Sequence, residues 1–139
     1  MDLQSLSLAM ALILSGIACG GGAVLSLVAM PLVFEMQDYG RADRFARNAI
    51  LLTNPILAGV AFAAAVAAVF GGAVAMAVIF GCVGLGFLLA RLPVQSRKDA
   101  TGQVYVRRQK KVSRVAAMTL SAALIPVMLT GIVLGVIGI

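Results

Sequence analysis

The chain of 139 residues is 62% hydrophobic and 12% charged, with a mean hydropathy of +1.07, a composition that excludes a soluble or disordered chain and predicts a membrane protein. Its net charge of +6 would suit nucleic acid in a soluble protein, but beside a bilayer it faces anionic headgroups, so lipid and no nucleic acid is the expected partner. The lack of histidine excludes a histidine-ligated haem, zinc or copper site, and neither a cofactor nor a metal is expected.

Leu3 to Phe34 carries no charge and exceeds the roughly 20 apolar residues that cross a hydrocarbon core, which predicts a first helix over about 5–34. Met1-Asp2-Leu3-Gln4 has no positive n-region, so this helix is expected to stay in the mature protein. The next charge-free stretch, Asn48 to Ala90, is long enough for two crossings. Gly71-Gly72 near its centre divides it, predicting helices over about 46–70 and 73–92. Val115 to Ile139 supplies a fourth, over about 111–138.

All eleven Lys and Arg residues fall within Arg41 to Arg47 and Arg91 to Arg114. Four crossings put both segments on one side, and retention of short basic loops in the cytoplasm predicts both termini outside, in a bacterial-type inner membrane. The expected fold is one all-α transmembrane domain over 1–139, a four-helix bundle of two helical hairpins. Arg107, Arg108, Lys110 and Lys111, with Arg114, form a basic run that, if helical, extends the fourth helix along the headgroups.

A weak internal repeat joins the halves. Cys19-Gly20-Gly21-Gly22 precedes Pro31, and Gly81-Cys82-Val83-Gly84 precedes Pro93; if real, it implies a pseudo-twofold axis along the membrane normal. Both cysteines sit near helix centres, where packing is the expected role. Small residues let helices approach closely in lipid, and the expected seams are Gly16 with Gly20, Gly59, Gly81, and Gly131 with Gly135. They serve either packing within the bundle or assembly as a homo-oligomer or larger membrane complex.

No Asp or Glu lies deep in a predicted span, which argues against proton-coupled transport. Polar residues gather instead at the predicted cytoplasmic helix ends: Glu35 and Asp38; Arg44, Arg47, Asn48, Thr53 and Asn54; Arg91 and Gln95; Ser113 and Arg114. Four ends meeting on one face would surround a common mouth, although capping and snorkelling account for such residues equally. Asn54 is the most pointed, because it lies inside a span beside Pro55 and a buried amide needs partners.

The run Gly20 to Pro31 with its Met30-Pro31 ending, Met36-Gln37-Asp38, Asn48, and Asn54-Pro55-Ile56-Leu57-Ala58-Gly59 resemble the anthrone oxygenase-like family of small four-helix membrane proteins. Pro93-Val94-Gln95 looks like the family's Pro-x-Asn with Gln for Asn, and Arg114 like its arginine opening the fourth helix. The resemblance implies a metal-free reaction in which a base forms a carbanion or enolate that meets oxygen. Glu35 or Asp38 would be the base and Arg47 or Arg114 the enolate stabiliser, with Asn54, Gln95 and Arg114 holding a hydrophobic aromatic or lipidic ligand. Arg44, Arg47 and Asn48 also fit the membrane-bound glutathione and eicosanoid enzymes, but Leu51 stands where those carry glutamate. A carboxylate with no histidine to assist it is a weak base for a carbon acid, so the favoured expectation is a non-catalytic accessory or assembly component.

Overall fold

The structure is a computed structural model. It describes residues 2–36, 38–95 and 105–137, apart from the side chains of 39, 43, 91, 93–95 and 105–117. The described residues are helical throughout, save for Asp2, Asp38 and the turn at 71–73.

Helix α1 runs Leu3–Met36, with a π-helical segment at Val24–Ala29. The cause lies in Pro31, which has no N–H to donate and whose ring would strike the Leu27 carbonyl in a regular α-helix. Widening the preceding turn avoids that clash, and Met30 N–H duly reaches Leu25 O, five residues back. Helix α2 spans Tyr39–Phe70, α3 Val74–Gln95 and α4 Tyr105–Ile137.

Two helices start earlier than the charge pattern suggests. The first basic segment, Arg41 to Arg47, is the opening of α2 and not a loop; Asp38 takes the N-cap position, and its carbonyl accepts from the amides of Arg41 and Ala42 at 2.8 and 3.0 Å. The backbone of Arg107 to Arg114 likewise belongs to α4. At 1.5 Å per residue, the 32 residues of α2 reach about 48 Å, well beyond a hydrocarbon core of about 30 Å, so its charged first turns can stand clear of lipid.

The division at Gly71-Gly72 has a stereochemical basis. Gly72 has φ +80°, and the amides of Gly72 and Ala73 reach back to the carbonyls of Val69 and Ala68 at 3.1 and 3.0 Å, the pattern of a helix C-terminus closed by a left-handed residue. Gly71 is needed for proximity, because a Cβ there would stand 3.1 Å from the Leu8 backbone nitrogen of α1.

Helix α2 packs on α1 and α3, and α4 packs on α3 and α1. The larger core cluster contains Ala18, Leu57, Ala61, Ala64, Met76, Phe80, Val83, Phe87 and Met128. A smaller one, Met30, Ala46 and Ile50 with Leu25, Phe34 and Met118 packed on it, lies toward the charged end of α2. Outward faces are as apolar as the interior: Ile13, Leu27, Leu52, Val66, Val78 and Val133 are all exposed. Among the described residues, three helices are long and apolar enough to cross a membrane, and Val74–Ala90 of α3 is a shorter apolar helix. Helices apolar on all sides are those of a membrane protein.

The seams divide. A Cβ on Gly131 would lie 2.9 Å from Ile79 Cγ2 and from Phe80 Cε2, and one on Gly135 would overlap Met76 Sδ, so α4 meets α3 along these two glycines. Gly84 and Gly86 do similar work, facing Phe62 and Leu124, each at 3.0 Å. Gly16, Gly20, Gly59 and Gly81 have nothing within 4 Å of a Cβ, which corrects their expected part in packing within the chain. The repeat is also unequal in its surroundings, for Cys19 is buried and Cys82 exposed, both as free thiols.

Candidate functional site

Between the two core clusters runs a layer where apolar packing is interrupted on three helices. On α1 it is the π segment, none of whose residues is buried. On α2 it is Asn54, lying between Ile50 of the smaller cluster and Leu57 of the larger. On α4 it is Ser121, buried at 5% exposure between Met118 and Met128.

Asn54 is fully buried, with 0% exposure. Its Nδ2 donates to the Phe87 carbonyl of α3 at 3.5 Å, a long bond by hydrogen-bond standards. Its Oδ1 has no hydrogen-bond partner. A buried acceptor left unpaired costs about 1–3 kcal/mol, and in a chain this apolar the position calls for a reason.

The layer is narrow because glycine lines α1. A Cβ on Gly22 would meet Met128 Cε at 3.6 Å and Phe87 Cζ at 3.7 Å, and one on Gly21 would meet Leu57 Cδ2 at 3.2 Å. Gly22, Asn54, Phe87 and Met128 thus bring all four helices to one level. Pro55 adjoins the amide and cannot donate to the Leu51 carbonyl, so the backbone ladder of α2 is interrupted beside it.

The proposed mouth is not assembled among the described residues. Asn54 lies inside the core, and Gln95 and Arg114, expected to meet it, have side chains outside the described residues. Glu35 and Asp38 are exposed where α1 passes into α2, Arg44 and Asn48 are exposed, and Arg47 and Thr53 are half-buried. The one hydrogen bond described for Asn54 goes to Phe87. The side chains of Arg91, Gln95, Arg107, Arg108, Lys110, Lys111 and Arg114 lie outside the described residues.

Sequence reasoning singled out Asn54 but missed its companions. Phe87 enters through its carbonyl, which leaves no mark on sequence, and Ser121 is one of several serines in an apolar run. The π segment did leave a signal, since three consecutive glycines followed by Met30-Pro31 announce a helix that cannot be regular.

A second concavity lies near the N-terminal end of α1. Leu3, Leu6 and Met10 of α1 face Ala63, Val66 and Phe70 of α2 across an open groove of about 680 Å³. Its polar lining is Gln4 and Ser7, neither of which titrates, so it suits an acyl chain and offers no acid–base chemistry.

No known protein family, curated protein or solved structure matches the chain.

Proposed function

We propose that this chain is a non-catalytic accessory or assembly component of a bacterial-type inner membrane, a four-helix bundle of two hairpins with both termini outside and its basic segments at the cytoplasmic face. The observation that carries this reading is the exposure of Gly16 and Gly20, one turn apart on α1, with open space where each Cβ would be. A glycine inside a helix costs about 0.8–1.0 kcal/mol relative to alanine, and toward lipid it offers no contact in return. Its use on such a face is to admit another helix at close range. Ile13, Ile17 and Val24 flank the pair as exposed apolar residues.

The same chain spends Gly131 and Gly135 inside, against Phe80 and Met76, so the two classes of seam are separable by mutation. The test is the assembly size of a Gly16→Leu, Gly20→Leu double variant in lipid nanodiscs, with photo-crosslinking from position 17. Loss of the larger species and of the crosslink, with the chain still folded, is the expected result. Identical size and crosslinks in variant and parent would remove the reading.

The metal-free oxygenase reading is less well supported. It needs a base beside the ligand-orienting amide, whereas Glu35 and Asp38 are exposed and Asn54 is fully buried.

A further inference from the structure

Helices satisfy buried donors easily and buried acceptors poorly. Inside a helix every N–H is committed to the ladder, while each carbonyl keeps a spare lone pair. Ser15 shows the easy case: it has 0% exposure, and its hydroxyl donates to the Leu12 carbonyl at 2.8 Å. Thr130 does the same with the Pro126 carbonyl at 2.9 Å. Asn54 meets half of its need this way, through Nδ2 to the Phe87 carbonyl. Its Oδ1 requires a donor hydrogen, and no described side chain of this protein supplies one: Gly21, Gly22, Leu57, Phe87 and Met128 at this level carry none, and Ser121 has an interaction of its own.

We propose that the Asn54 carboxamide is a binding group for a hydroxyl brought in from outside the chain: Oδ1 accepts an O–H donated by an internal water or by an apolar alcohol dissolved in the bilayer. The unpartnered Oδ1 is the receiving atom. The level is close-packed, since a Cβ on Gly22 would already meet Met128 and Phe87 at 3.6 and 3.7 Å and one on Gly21 would meet Leu57 at 3.2 Å, so a water fits with little adjustment while an alcohol needs these apolar side chains to give way. The way in is between α1 and α2, where the π segment contributes no buried residue and Pro55 has taken a hydrogen bond out of α2. Water and alcohol offer Oδ1 the same bond and differ in what lies behind the oxygen.

The test uses the whole chain in detergent micelles, with cyclohexanol and cyclohexane as probes of equal ring size, of which one has a hydroxyl. An alcohol site predicts that cyclohexanol at ten times its Kd raises Tm by about 5 °C, that cyclohexane does not, and that the difference vanishes in Asn54→Leu. A water site predicts no effect of either probe and an NMR cross-peak from a long-lived water to the Asn54 side-chain amide protons, measured on the unmodified chain so that it stands even if the leucine variant fails to fold. In both cases Asn54→Leu lowers Tm, because a made hydrogen bond is lost. The proposal is overturned if neither probe acts and no water cross-peak is seen, whatever the Tm of Asn54→Leu, because that variant also loses the bond from Nδ2 to the Phe87 carbonyl. A cross-peak assigning the donor to another side chain of this protein overturns it as well.

Discussion

A Cβ placed on Gly131 would stand 2.9 Å from Cε2 of Phe80, a ring with 0% exposure in the larger core cluster. Phe80 is walled in by that cluster and cannot swing away cheaply, since interiors are close-packed. Gly131→Leu is therefore expected to destabilise the chain by at least about 1–3 kcal/mol, the usual cost of overpacking. Thermal unfolding in detergent checks this, and a Tm unchanged from the parent would show that α3 and α4 are not pressed together here.

Gly20→Leu should behave in the opposite way. With nothing within 4 Å of its Cβ, the added side chain meets only surroundings, and the folded chain should keep its Tm within about 0.5 kcal/mol equivalent, the range of ordinary surface changes. Its effect should appear in assembly size instead. A large loss of Tm, measured at a concentration where the chain is monomeric, would place Gly20 in an internal seam after all.

The two thiols should differ in reach. Cys19 has 8% exposure and packs in the larger cluster, while Cys82 is exposed on α3. A membrane-permeant maleimide should alkylate Cys82 first, with Cys19 reacting only as the helices part, as read by mass spectrometry over time. Equal labelling rates would contradict the packing of α1 against its neighbours.

Orientation follows from charge. All Lys and Arg lie in two segments; the first opens α2, and the helical parts of the second close α3 at Arg91 and open α4, so the proposed topology puts the whole basic complement on one side of the membrane. Alkaline phosphatase fused after residue 139 should be active in the periplasm, and the same enzyme fused at residue 102 should be inactive. The reverse pattern would invert the topology.

Where the chain turns at Gly71-Gly72 and which solvent surrounds its helices were legible before any fold was known, because each depends on local quantities. Length without charge sets a crossing, and two adjacent glycines permit the left-handed residue at Gly72. Arg41 to Arg47 was misread as a loop, because charge speaks of solvent and not of backbone, and the helix simply continues into water. Which face of each helix is buried was not legible. In a soluble helix the polar face marks the exterior, but here Ile17 outside and Phe80 inside are alike in polarity, so periodicity carries no sign of direction. Only the tertiary structure separates Gly131, held against Phe80, from Gly20, which faces outward. It alone decides that Asn54 is enclosed with one end of its amide answered by Phe87 and the other open, since that depends on what three other helices present at the same height.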